Sequence, residues 1–74
     1  MEDVNLDGSE FIALCDLLKI SGMCENGGQA KAMISEGKVK VDNKVELRKR
    51  CKILANQVVE YGGQSVKVTD VKKE

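Results

Sequence analysis

Seven basic side chains lie within the fifteen residues from Lys38 to Lys52: Lys38, Lys40, Lys44, Arg48, Lys49, Arg50 and Lys52. Only Asp42 and Glu46 oppose them. A net of +5 on so short a stretch sets up a local field that attracts polyanions whatever the total charge. That total is zero, twelve Lys and Arg balancing twelve Asp and Glu, but the charge is segregated. Residues 1–30 hold six acids and one base, Lys19, whereas residues 31–74 hold eleven bases and six acids. Lys38 and Lys40 alternate with Val39 and Val41, the arrangement by which a solvated edge strand is protected from pairing with another chain. Arg48-Lys49-Arg50 has no such explanation. Three adjacent cations in a loop repel one another until a counter-charge arrives, such as a polyanionic partner would bring.

Other chemistries are excluded by inventory. There is no His for general base work near neutral pH, no phosphate-cradling Gly-x-x-x-x-Gly-Lys-Ser/Thr, no nucleophile elbow and no acidic cluster with metal-ligand spacing. Neither catalysis, a metal nor a cofactor is expected. Cys15, Cys24 and Cys51 cannot all pair within one chain, and their spacing fits no zinc motif, so they read as free thiols packed as small apolar side chains, Cys15 and Cys51 above all. Gly27-Gly28 stands where a helix begins, which favours an anion but equally suits a plain turn. Gly62-Gly63 is not a sulphur-carrier terminus, because eleven residues follow it, and it reads as a hairpin turn. Met23 and Met33 suit core packing.

These residues must be positioned by a small frame. Seventy-four residues allow one domain, which buries only ~60% of the surface of its unfolded chain and leaves little room for a deep cleft. No apolar run nears the roughly 20 residues of a membrane-spanning helix, and the start Met1-Glu2-Asp3-Val4 is acidic, so a cytoplasmic protein is expected. Residues 1–8 read as a loose leader with a short extended piece at Val4–Leu6. Asp7 and Glu10 have the spacing of a capping box, and Phe11, Leu14, Cys15 and Leu18 recur at helical spacing, predicting a first helix over Gly8–Lys19 that turns at Gly22. A second helix runs from the cap Asn26, with Gln29 reaching back to it, to Glu36. Its apolar stripe is Ala30, Met33 and Ile34, and Gly37 ends it. Beyond Gly37 the period changes to two, predicting strands at 38–41, 44–47, 51–54, 57–61 and 65–69, with turns at Asp42-Asn43, Ala55-Asn56 and Gly62-Gly63. Residues 9–70 form the domain and Val71–Glu74 a frayed tail. The fold class is α+β: two short N-terminal helices packed on a small, mostly antiparallel sheet.

The run Leu17-Leu18-Lys19-Ile20-Ser21-Gly22, followed by Gly28-Gln29-Ala30-Lys31-Ala32-Met33-Ile34-Ser35-Glu36-Gly37-Lys38-Val39-Lys40-Val41-Asp42-Asn43-Lys44-Val45, resembles the ribosomal-protein-S-four-like RNA-binding domain, the alpha-L motif. The ending Arg48-Lys49-Arg50-Cys51-Lys52-Ile53 is similar to its short stand-alone bacterial members. The likeness spans Ala13 to Tyr61. It implies a module that grips structured RNA, ribosomal RNA above all, through the exposed side of helix two and the basic hairpin after it. By position it points to Asn26, Gln29, Lys31, Lys38, Lys40, Lys44, Arg48, Lys49 and Arg50, and Lys52 completes the basic stretch. Where the family often has Arg-Leu-Asp and, before the Gln-Ala pair, Arg, this chain has Ala13-Leu14-Cys15 and Gly27. The second change moves weight from helix two to Arg48, Lys49 and Arg50.

The aromatics are Phe11 and Tyr61 alone, too few for a platform that stacks single-stranded bases. Ten Lys against two Arg favour point contacts with phosphate over bidentate reading of base edges. The reading is therefore a monomeric, non-catalytic module for folded RNA, with no membrane and no small-molecule substrate. Its rivals are a winged-helix DNA binder, for which a third helix is wanting, and a protein-interaction adaptor using the acidic helix-one region.

Overall fold

In a computed structural model, which describes residues 2–70, seven strands and two helices follow one another along the chain. They are β1 (Glu2–Asn5), β2 (Ile12–Ala13), α1 (Leu14–Ile20), α2 (Gly27–Ser35), β3 (Val39–Val41), β4 (Lys44–Val45), β5 (Lys52–Ile53), β6 (Val58–Tyr61) and β7 (Gln64–Thr69). Five strands form one sheet in the order β1-β7-β6-β3-β4, antiparallel except for the β1–β7 pair, and β2 and β5 form a separate antiparallel pair. Alternation sends Val39, Val41, Val59, Val66 and Val68 to one face, where they are buried with Leu14, Leu17 and Leu18 of α1, Ala30 and Ile34 of α2, and Ile53. No polar or charged side chain is buried among the described residues. The α+β class and the mostly antiparallel sheet are as the sequence predicts.

The turns follow from residue type. Asp42 and Asn43 have φ of 51° and 69°, and Gly62 and Gly63 of 61° and 80°, so both hairpins close through the two left-handed residues that match the twist of the strands. Helix α2 begins at Asn26, whose side-chain oxygen accepts from the Gln29 amide at 2.8 Å. The Gln29 side chain reaches back one residue past the cap, accepting from the Glu25 amide at 2.7 Å. At its other end the Gly37 amide donates to Ile34 and the Lys38 amide to Met33, with Gly37 at φ 76°. This pair of bonds satisfies the last carbonyls and fixes the point where the chain leaves for β3.

The N-terminus departs from the sequence reading. Residues 2–5 are not a loose leader: they are β1, paired in parallel with β7, and Leu6 is buried behind them. A two-sided apolar pattern was absent because β1 is a sheet edge with one face packed. The first helix begins at Leu14, six residues later than the predicted Gly8. Asp7, at φ 52°, and Gly8 form a turn after β1 instead of a cap, and Ile12 and Ala13 pair with Ile53 and Lys52 as a strand. Phe11 lies before this helix and is 40% exposed, not on its core face. Among the cysteines, Cys15 and Cys24 are buried and Cys51 is half-buried, all as free thiols. The strand expected at 44–47 stops at Val45, and the predicted tail, 71–74, lies outside the described residues.

Candidate nucleic-acid interface

Helix α1 has no side-chain cap. Its first amides are satisfied from elsewhere in the chain: Leu14 donates to the carbonyl of Cys51 at 2.9 Å and Cys15 to that of Lys49 at 3.1 Å. The Cys51 amide donates to the Arg48 carbonyl at 3.2 Å, closing the same segment into a turn. Unpaired helix N–H groups and the positive end of the dipole thus hold the backbone oxygens of Lys49 and Cys51. With its carbonyls turned to the helix, the loop leaves Arg48, Lys49, Arg50 and Lys52 exposed. The basic loop is therefore anchored by its backbone to the most buried helix of the domain.

The two acids of the basic stretch have separate work. Asp42 accepts from the Val58 amide at 3.0 Å and from Gln57 Nε2 at 3.1 Å, bonds that lower its carboxyl's proton affinity and tie the first hairpin to β6. Glu46 continues β4, its amide donating to the Val39 carbonyl at 3.1 Å. Its carboxylate takes Arg48 Nε at 3.0 Å, Nη2 at 3.1 Å and the Arg48 amide at 3.0 Å. The Arg48 side chain, and after it the Arg48 amide, hold this carboxyl at about 2, well below the usual range. The same pair meets Cys51 Sγ, 3.5 Å from both Glu46 Oε1 and Arg48 Nη2. Burial first, and the adjacent Glu46 second, push the Cys51 thiol upward, so it stays protonated.

The predicted contacts are thereby sorted. Arg48, Arg50 and Lys52 line one shallow depression of about 430 Å³ with Cys51, and Lys49 stands on the same turn. Lys52 Nζ lies 4.9 Å over the centroid of the Phe11 ring, a cation–π contact that steadies the lysine stem. Lys49, Arg50 and Lys52 have no ion-pair partner among the described residues. Lys38 pairs with Glu36 at 3.3 Å, both more than half exposed. Lys38 and Lys40 border a separate groove of about 180 Å³ with Glu60, Tyr61, Gly62 and Gly63. Lys44 opens β4 beside the turn. Lys31 is exposed on α2, whereas the side-chain oxygens of Asn26 and Gln29 serve the start of that helix. Gly28 belongs to this cap as well, since a Cβ there would lie 3.3 Å from Asn26 Oδ1.

Sequence reasoning missed Glu46 and Phe11 as parts of this region. Glu46 was legible in principle: two residues apart in an extended segment, it and Arg48 share a face. Nothing local marked Phe11, whose partner is forty-one positions away.

A fold of two helices on this sheet, with a cationic loop clamped to the first helix, defines an S4 domain, and the chain belongs to that family: the S4 domain model matches residues 4–69. Among its relatives is an Escherichia coli K12 protein named "Putative RNA-binding protein YbcJ", 53% identical over 68 residues that cover 92% of this chain and 97% of that one. The YbcJ protein of Shigella flexneri matches to the same extent. The solution structure of Escherichia coli YbcJ, described as revealing an alpha-L motif involved in RNA binding, superposes with a TM-score of 0.74 at 52% identity, covering 93% of this chain and 87% of that one. No helix among the described residues is long and apolar enough to cross a membrane.

Proposed function

We propose that this chain is a non-catalytic, monomeric RNA-binding module of the bacterial cytoplasm that grips folded RNA, such as ribosomal RNA, by its phosphate backbone. The observation that carries the reading is the loop 48–52: three cations without ion-pair partners and a fourth, Arg48, oriented by Glu46, on a backbone fixed by the first amides of α1. Cations held on an ordered turn lose less entropy on meeting phosphate than cations on a free chain. Lys31 on α2, with Lys38 and Lys44 on either side of β3, supplies further contacts at the sides. The RNA-binding name of the Escherichia coli relative and the alpha-L motif of the YbcJ structure support the same reading.

Fluorescence anisotropy with a labelled RNA hairpin and a duplex DNA of equal length, at one salt concentration, tests it. The RNA is expected to bind tighter, with a log–log salt slope of roughly −3 to −4 for four or five neutralised phosphates. Preference for DNA would favour the winged-helix rival, and an affinity unchanged by salt would remove phosphate contact as its basis.

A further inference from the structure

A second cavity lies away from the basic loop. It has about 590 Å³ and is walled by Met23, Lys38, Tyr61, Gly62 and Gln64, a volume within the range of small-ligand sites. The linker between α1 and α2, the approach to β3 and the β6–β7 hairpin meet there. Tyr61 is the sole tyrosine of the chain. It stands in register between Val39 and Gln64, so its ring is on the helix-bearing face, half-buried and packed against the core together with Met23. Its hydroxyl makes no hydrogen bond to a described residue, so the core does not need it. Gln64, exposed at the rim, offers an amide that both donates and accepts. Lys38 is held only by the exposed Glu36 pair, the kind that exchanges readily for another anion. The 180 Å³ groove shares Lys38, Tyr61 and Gly62 with this cavity and runs on to Lys40. At Gly62 and Gly63 even a Cβ would meet nothing within 4 Å, so the rim is open there.

An aromatic ring and a thioether in the wall, an amide at the edge and a lysine beside them match a base, its hydrogen-bonding edge and a neighbouring phosphate. We propose that this cleft takes one unpaired nucleotide of the bound RNA, stacked on Tyr61, met by Gln64, with a flanking phosphate on Lys38. One ring serves one base, which is compatible with a protein that otherwise grips folded RNA. The proposal rests on the RNA-binding reading above and adds to it a preference for RNA whose duplex ends in, or is interrupted by, a single strand.

The test compares a labelled RNA hairpin carrying an unpaired 3′ extension with the same hairpin made blunt. Wild-type protein is expected to prefer the extended RNA by at least about fivefold, the lower end of what stacking one base on one ring supplies. Tyr61→Phe keeps the preference, Tyr61→Leu abolishes it, and affinity for the blunt hairpin stays within about twofold in both. Equal wild-type affinity for the two RNAs, or an undiminished preference in Tyr61→Leu, overturns the cleft proposal while leaving the loop reading intact. Binding to neither RNA overturns both. Should Tyr61→Leu fail to fold by circular dichroism, the emission of Tyr61 in the wild type decides instead. Quenching by the extended hairpin but not by the blunt one, at matched absorbance, supports the site, and equal quenching overturns it. Adenosine monophosphate alone is the arm for a free nucleotide: saturation by it as tight as by the extended RNA would overturn an RNA-borne ligand.

Discussion

The outer face of the sheet and the loop at residues 48–52 both carry exposed cations and deploy them in opposite ways. On the sheet, Lys40 stands in register with Glu60 and Lys67 with Asp3, so each lysine has an acid directly across the strand gap. On the loop, one acid, Glu46, serves four cations and is engaged by one of them. Cross-strand pairs of opposite charge stabilise a sheet by a few tenths of a kcal/mol up to about 1 kcal/mol and leave little field beyond the surface. Unbalanced charges on a rigid turn do the reverse. The +5 of residues 38–52 is thus not a uniform strip: Lys40 in its first half stands opposite an acid, whereas its second half sets four cations against one.

The comparison fails first if the frame beneath both regions is removed. Leu14 is fully buried and its amide holds the Cys51 carbonyl. Leu14→Ala is expected to cost about 2–5 kcal/mol as a buried large-to-small change, and urea unfolding measures it. Ile34→Ala, equally buried but remote in sequence from the loop, should cost a similar amount. A loss below about 1 kcal/mol in Leu14→Ala would mean that the loop does not depend on a well-packed α1.

Next in size is the loop itself. Replacing Lys49, Arg50 and Lys52 together by Gln is expected to weaken binding of a folded RNA about a hundredfold at low salt, about 1 kcal/mol for each exposed contact to phosphate. The log–log salt slope should fall by about 2–3. Anisotropy titrations at several salt concentrations, with circular dichroism to confirm folding, read both quantities. An affinity loss with an unchanged slope would show that the three side chains act through structure and not through phosphate.

How much of this was legible beforehand divides along the same line. The helix-two boundaries, both left-handed turns and the alternation of β3 follow from local chemistry: Asn26, Gly37, Asp42-Asn43 and Gly62-Gly63 each act within a few residues. The cations of the loop could be counted in the sequence. Their anchorage could not, because it consists of backbone bonds between Leu14, Cys15, Lys49 and Cys51, which have no side-chain signature. The first helix is shorter than its apolar spacing predicts for a related reason. Phe11 and Ile12 continue its apolar spacing, but pairing with β5, more than forty residues later, overrides it. Strand β1 showed in the sequence only as a short extended piece at Val4–Leu6, because its partner β7 lies at the other end of the chain.

A finer test separates the one compensated cation of the loop from the rest. The Glu46 carboxyl is lowered from 4.5 to about 2 in the folded protein by its bonds to Arg48. A depressed carboxyl stabilises the fold above its unfolded value and loses that contribution as pH falls through the folded value. Glu46→Gln should therefore destabilise the protein near neutral pH by about 1 kcal/mol or less, since Arg48 is largely exposed and its attraction is screened. The difference from wild type should shrink as the pH drops from about 4.5 toward 2. Denaturant melts at pH 7 and pH 3 show whether it does, and a difference independent of pH would assign the effect to packing.

The smallest expected effect belongs to the outer sheet face, and it is the one that gives the comparison its meaning. Lys40→Gln with Lys67→Gln removes two positive charges, as would any two of the loop cations, and an RNA attracted only by total charge would respond equally to both changes. If position governs, the sheet variant should alter RNA affinity by less than about threefold, because each lysine has an acid in register across the strand gap that offsets part of its field, and removing the lysine exposes that acid in turn. Some of that change comes from the newly unbalanced Glu60 and Asp3. Replacing Glu60 by Gln alongside Lys40, and Asp3 by Asn alongside Lys67, restores neutrality and should bring affinity back to the wild-type value within error. Losses per charge equal to those of the loop variant would reduce the interaction to nonspecific attraction. A loss persisting in the neutralised quadruple variant would place RNA directly on the sheet.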